Sequence, residues 1–359
     1  MMETELTRKL KIEYPIIQAP MAGGPTTPEL VAAVSNAGAL GSLGAGYLSP
    51  EQIRNAVREI RQETDRPFGV NLFVPEQPAS TEADIAEMNL YLNKYRVKLG
   101  IATNPAIPKF AESFEEQVQV LLEENVSVFS FTFGIPPQNI LQSMKQKGIF
   151  VIGTATTVDE AIALETAGVD AIVAQGSEAG GHRGSFLNSR ADARIGTMAL
   201  VPQIVDHVKI PVIASGGIMD GRGLVASLAL GASAVQMGTA FLASVESGAH
   251  PVYKQKIISS NEASTEVTSY YSGKAARGIL TEFMEDMRFY ERPVPAYPIQ
   301  NALTRDIRQA ASKARNPEYM SLWAGQGLRL ARDCTAKEIV KQTVDQAYRL
   351  INNVGKLRN

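Results

Sequence analysis

The sequence has a single cysteine, Cys334, so no internal disulfide can form and no CxxC redox or zinc arrangement exists. Histidine is nearly as scarce. His182, His207 and His250 are scattered and lack HExxH or similar spacing, which gives no support to a protein-bound catalytic metal. An excess of charge of one sign is missing too. With 35 Lys and Arg against 37 Asp and Glu, no net field recruits nucleic acid or an acidic membrane, and the expected partner is a small molecule. No long apolar segment follows the charges of Met1 to Lys11, so neither a signal peptide nor a membrane anchor is expected, with cytoplasmic residence by default. No low-complexity or linker-like stretch interrupts the chain, and its parts are expected to be rigidly joined.

What is present is apolar material in short pieces. At 359 residues and 45% apolar, the chain can hold two domains or one large α/β barrel with additions. Eight short apolar runs read as strands: Ile16 to Ala19, Leu40 to Leu43, Phe68 to Phe73, Val128 to Thr132, Phe150 to Gly153, Ala171 to Gln175, Val212 to Ser215 and Ala234 to Met237. They lack polar/apolar alternation, so they are expected to be buried on both faces and parallel. Helix start signals lie between them. Thr27-Pro28 and Ser49-Pro50 put a capping residue before a proline, and Ser49-x-x-Gln52, Ser113-x-x-Glu116 and Thr157-x-x-Glu160 match the capping box. Eightfold alternation of strand and helix predicts a closed (β/α)8 TIM barrel rather than a doubly wound sheet. A weak internal echo agrees with it, since a helix stopped by glycine precedes a strand at Gly168 and again at Gly231.

Two gaps break the rhythm. Residues 74–110 are expected to form a helical insertion over the barrel mouth, with Phe114 to Glu124 as the helix that resumes the fold. The gap from Gln175 to Pro211 holds a glycine-rich loop and the charged stretch Asn188 to Arg194. Past Phe241 the strand signals stop, and Ala302 to Ala314 and Thr335 to Asn352 read as helices, the latter opened by Thr335-x-x-Glu338. The expected domains are a barrel over 1–243, a smaller helical region over 244–330 at its mouth, and a C-terminal helix within 331–359 packed back on the barrel.

The stretch Ala174 to Ser185 carries the clearest chemical signal. A buried strand opens into four glycines within nine positions, with His182 among them. Imidazole can give or take a proton near neutrality, which suits a general base or a donor to an anion, whereas a merely solvated loop histidine would look the same in isolation. If the barrel closes, the strand ends converge. Glycine-bearing turns at Ser215-Gly216-Gly217 and Gln236-Met237-Gly238-Thr239 follow strands seven and eight, where barrels commonly hold phosphate, and a helix from Gly221 to Leu230 could add its dipole. Asn71, Gln175 and Gln236 are amides able to donate and accept, which suits the edge of a flavin ring, although each could equally cap a neighbouring strand. Together they point to FMN. The glycines of Gly38 to Gly46 do not meet GxGxxG, and no acid ends the following strand, so a dinucleotide domain is not expected.

The segments Pro15 to Gly23, Phe68 to Phe73, Phe131 to Gly134, Ala174 to Gly184, Ala214 to Arg222 and Val235 to Phe241 together resemble the nitronate monooxygenases, formerly called 2-nitropropane dioxygenases, and are similar to their class I branch. Trp323-Ala324-Gly325-Gln326-Gly327 resembles another segment of that family, and the likeness runs nearly the whole chain. It implies an FMN-bearing barrel that uses O2 to oxidise alkyl nitronates, notably propionate 3-nitronate, to a carbonyl compound with release of nitrite or nitrate. Carried over, Asn71, Gln175, Gly180, Gly217, Gln236, Met237, Gly238 and Thr239 hold FMN and His182 is the catalytic base. For a substrate that carries a carboxylate, Tyr297 and Arg305 are candidate clamps, since guanidinium suits that group; ordinary surface positions are the alternative. Two rival functions stand beside this one. The flavin-dependent, NADH-using enoyl-acyl-carrier-protein reductases share the EAGGH loop, and a non-catalytic flavin or phosphate binder could use the same fold.

Overall fold

The computed structural model describes residues 2–76, 80–107, 109–187 and 194–355. Of the charged stretch Asn188 to Arg194, only Arg194 lies within them. Eight parallel strands form the barrel: β1 (Ile16–Gln18), β2 (Gly41–Gly44), β3 (Phe68–Phe73), β4 (Val128–Thr132), β5 (Phe150–Ala155), β6 (Ala171–Gln175), β8 (Val212–Ser215) and β9 (Ala234–Met237), in the order β1-β9-β8-β6-β5-β4-β3-β2. The ring is drawn shut between its first two strands, where Ile17 bridges Leu40 and the Gln18 N–H donates to the Leu40 carbonyl at 2.9 Å. Every barrel strand except parts of β3, β4, β5, β6 and β9 is buried at all its positions, as two-sided burial in a parallel sheet requires.

Local chemistry sets the helices between the strands. Thr27 and Ser49 cap helices Pro28–Asn36 and Pro50–Glu63, each with proline at the first helical position, and Ser49 and Gln52 close a capping box. Gly168 and Gly231 both take positive φ, +90° and +94°, where their helices stop. Thr157 caps helix Val158–Ala167, yet the Glu160 carboxylate does not turn back to it. Buried, it accepts from the Thr156 N–H and hydroxyl at 2.7 and 2.8 Å and from the Phe186 and Leu187 N–H groups at 2.6 and 3.2 Å. It thereby pins the chain just beyond His182.

Inside the barrel, Ile17, Leu40, Val128, Ile152, Val173, Ile213 and Ala234 pack with Leu6 and Leu10 of the N-terminal helix Glu5–Leu10. That plug fills the end where the strands begin and leaves the other end for ligands. The last helix, Ala336–Gly355, buries Ile339, Val340, Val344 and Ala347 in the outer core, close against helix Gly221–Ala229.

The region after Phe241 departs from an all-helical expectation. β10 (Thr265–Thr268) and β11 (Ala276–Ile279) form a hairpin, and the short β7 (Gly181–His182) of the glycine-rich loop pairs with β11, Ala276 opposite His182. These strands are four residues or fewer and carry Thr, Glu, Arg and Gly, too short and too polar to announce a period of two. The single helix expected over Ala302 to Ala314 is two, Ile299–Leu303 and Arg305–Lys313, hinged at Thr304. A second core joins this region to the insertion, whose helices are Glu82–Tyr91 and Asn93–Lys98. Tyr95, Phe283, Tyr319 and Tyr271 are its buried rings, and fully buried Arg96 staples it: Nε to the Asp306 carboxylate at 2.8 Å, Nη1 to the Asn89 carbonyl at 2.7 Å and Nη2 to the Leu303 carbonyl at 3.2 Å. Among the described residues no helix is long and apolar enough to cross a membrane.

Candidate active site

A cavity of about 1500 Å³ opens at the ends of the barrel strands. Strand register brings the polar ends to one level: Gly44 lies opposite Asn71, Asn71 opposite Ser130, Gln175 opposite Ser215, and Ser215 opposite Gln236. Asn71, Gln175, Gly180, His182, Gly217, Gln236, Gly238, Thr239, Tyr297 and Arg305 all line the cavity. Met237 does not, because one residue past Gln236 along β9 the side chain turns to the opposite face, into the outer core.

His182 sits at the junction of barrel and hairpin. Its Nε2 lies 2.8 Å from the hydroxyl of buried Ser272, which also has the Lys274 carbonyl within reach as an acceptor at 3.1 Å. Nδ1 has no protein partner among the described residues. The serine has one proton to give. Spent on Lys274, it leaves the Nδ1 lone pair towards the cavity; spent on Nε2, it leaves an Nδ1–H donor there. Three aromatic rings wall the imidazole, Phe133 and Tyr297 with centroids at 5.7 Å and Trp323 at 5.5 Å. Burial, then the positive charges of Lys274 and Arg308, lower the His182 pKa from 6.5 to about 3, so the ring is neutral at neutral pH. Lys274 stands 4.7 Å over the Phe133 ring and pairs with Glu76 at 2.7 Å.

The amides differ in how free they are. Gln175 is committed at both ends, its Nε2 to the His182 carbonyl at 3.0 Å and its Oε1 to the Gly184 N–H at 2.9 Å, so it braces the histidine loop. Asn71 donates to the Ser130 hydroxyl at 3.0 Å, and the Gln236 side chain has no protein partner among the described residues. The 323–327 segment lies over the loop as a strap. A Cβ on Gly180 would come within 2.5 Å of the Ala324 carbonyl carbon and the Gly325 nitrogen, so only glycine fits. The Gly325 N–H donates to Thr239 Oγ1 at 2.9 Å and the Gln326 N–H to the Glu178 carbonyl at 3.0 Å. The helix dipole expected from Gly221 is not at the cavity. Its first amides are taken, Gly221 by Gln346 Oε1 and Arg222 by Asp220 Oδ1, both at 2.9 Å, where the last helix packs.

The residues present suit a flavin nucleotide. The cavity exceeds the roughly 300–1,000 Å³ usual for one ligand, enough for such a cofactor and a small substrate together. A Cβ on Gly24 or Gly181, both on its wall, would meet no protein atom within 4 Å and would project into the open space. Sequence reasoning missed Ser272, Lys274, Tyr47 and Arg308. Ser272 and Lys274 lie in an unrecognised hairpin, whereas Arg308 follows Arg305 at i+3, a helical spacing that could have found it.

Fold and site define an α/β barrel with a ligand cavity at its strand ends. Residues 3–346 match the family model described as nitronate monooxygenase, and the chain belongs to that family, which places it among oxidoreductases. A Staphylococcus haemolyticus protein described as "Probable nitronate monooxygenase" is 49% identical over 352 residues, 98% of each chain. The structure of nitroalkane oxidase from Streptomyces ansochromogenes superposes with a TM-score of 0.90 at 38% identity, over 97% of this chain and 99% of that one. FabK from Thermotoga maritima gives 0.77 at 34% identity over 99% of both.

Proposed function

We propose that this protein binds FMN in the strand-end cavity and uses O2 to oxidise alkyl nitronates to carbonyl compounds, releasing nitrite or nitrate. The observation that carries the reading is His182 in an aromatic cage on the wall of a cavity sized for a flavin and a small molecule. In this reading the Asn71 and Gln236 amides meet the edge of the flavin ring, Gly180 and the strap keep the loop close to it, and the backbone at Gly217, Gly238 and Thr239 receives the phosphate. Bound there, FMN would supply the electron acceptor for this chemistry.

A ring with so low a pKa is a weak base, poorly matched to taking a proton from carbon. A nitronate has already lost that proton. His182 therefore serves best as an Nδ1–H donor to the nitronate oxygens, the Ser272 hydroxyl donating to Nε2 and fixing that tautomer. Tyr297 closes one side of the cage, and Arg305 stands on the wall beyond it. The rival reading, an NADH-dependent enoyl-acyl-carrier-protein reductase, is supported by the likeness to FabK, but the nitroalkane oxidase superposes more closely and the family model agrees with it.

Oxygen uptake by the FMN-supplied protein separates the two. Propionate 3-nitronate should drive O2 consumption with nitrite or nitrate released, and NADH alone should drive little. Uptake with NADH and none with any nitronate would replace the assignment by the reductase.

A further inference from the structure

Two buried arginines stand behind the histidine loop, and neither lines the cavity. Arg183 Nη1 donates to the Gln175 and Gly176 carbonyls at 3.0 and 2.8 Å, and Arg277 Nε donates to the Ser177 carbonyl at 3.0 Å. Three consecutive carbonyls where β6 runs into the loop are thus turned onto guanidinium groups. Gly180 and Gly181, just beyond, fix little of their own path. The same pair holds the loop where it returns. The Arg183 N–H donates to the Ala275 carbonyl at 2.8 Å, Arg277 lies opposite Gly181 in the β7–β11 ladder, and the Arg277 carbonyl accepts from the Ala324 N–H of the strap at 3.2 Å.

A carbonyl needs a donor, not a full charge, so these bonds alone do not call for arginine. Among the described residues Arg183 Nε and Nη2 have no hydrogen-bond partner. The acids whose charge reaches Arg183 are Glu160 and Glu178, and both are spent elsewhere. Glu160 is held by Thr156, Phe186 and Leu187, and Glu178 by the Thr197 N–H and hydroxyl at 2.9 and 3.0 Å. Arg277 and Arg194 add charge of the same sign as its own. Burying cations in this state is costly unless negative charge arrives close by.

We propose that Arg183 and Arg277 are positioning residues that clamp the loop carrying His182 and, from behind the wall, make the cavity attractive to negative charge. The charge they favour is that of an anionic substrate and of the electrons a bound flavin takes up. This deepens the flavin and nitronate reading and rests on it for what enters the cavity. Arginine suits the place because its guanidinium stays charged when buried.

The midpoint potential of bound FMN in Arg183→Met and Arg183→Gln tests it. Glutamine keeps an N–H donor for the carbonyls and removes the charge; methionine removes both. The reduced-to-oxidised ratio at a fixed potential should fall about tenfold in each, about 30 mV for a two-electron couple, as removal of a unit charge from a partly dehydrated wall implies. Nitronate turnover should fall further in methionine, where the loop also loses its clamp. A potential unmoved in both variants would overturn the proposal and leave only a structural brace, and so would a glutamine variant that restores the potential. Should methionine prevent folding, glutamine carries the same expectation. Wild-type protein gives a readout that needs neither variant nor flavin. Trp323, the single tryptophan, lies on the cavity wall 5.5 Å from the His182 ring. In the FMN-free full chain, iodide should quench its fluorescence more than caesium does, each scaled to its action on free tryptophan, and sodium chloride should narrow the difference. Preference for caesium contradicts the clamp. If the wild type takes up no FMN, the flavin reading falls and quenching alone judges the clamp. If FMN binds with one potential in all three proteins, the clamp falls and the flavin reading stands.

Discussion

His182 shows how environment, not residue type, sets chemistry. Histidine in water divides its time between charged and neutral near pH 6.5, but buried beside Lys274 and Arg308 it is held at about 3. The profile of kcat/KM against pH should accordingly lack a histidine inflection between pH 6 and 7; a clear one there would show a ring less buried than described. Stability follows with its own sign. The folded state keeps the ring neutral while the unfolded chain protonates it below 6.5, so acid favours unfolding from pH 6.5 down to about 3, by up to about 1.4 kcal/mol per pH unit for this one group. His182→Asn should flatten that part of the denaturation curve and lower nitronate turnover on the order of 10²-fold or more with FMN retained. Turnover like the parent's would take the histidine out of the mechanism. At this scale the sequence pointed to the histidine because glycines flank it, and could not point to Ser272 or Lys274, which reach it through a hairpin about ninety residues on.

Between elements, the strap, the hairpin and the insertion decide where the cavity walls stand. Strand and helix periods were legible wherever an element buries a continuous face: β3, β4, β6, β8 and β9 match the runs read from sequence residue for residue. β7, β10 and β11 were not legible, since pairing partners rather than their own side chains make them strands. Arg96 ties the insertion to the helix that carries Arg305 and Arg308, and its fully buried guanidinium cannot be replaced by an apolar side chain without stranding Asp306 and the Leu303 carbonyl. Arg96→Met should cost about 2 kcal/mol, the range for leaving the Asn89 and Leu303 carbonyls without their charged donor. Urea denaturation measures it, and a loss under about 0.5 kcal/mol would mean that the staple contributes little.

Taken whole, the barrel divides its labour between its two ends. Leu6 and Leu10 close the end where strands begin, and the open end gathers Asn71, Gln236, His182 and the glycine turns from strands far apart in sequence. Composition argued for a small-molecule partner, periodicity predicted the barrel, and family likeness supplied the chemistry that neither could. Neither source told that Gln175 would be spent on bracing the loop or that the Gly221 helix would face the last helix, because both depend on contacts made only after the chain closes on itself. The central claim is that a flavin in this cavity takes electrons from a nitronate held by His182. Visible absorbance of the FMN-loaded protein, followed without oxygen as propionate 3-nitronate is added, tests that claim most directly. The flavin band should be lost with the nitronate and recover on admitting air; a band unmoved by nitronate but bleached at once by NADH would contradict the claim.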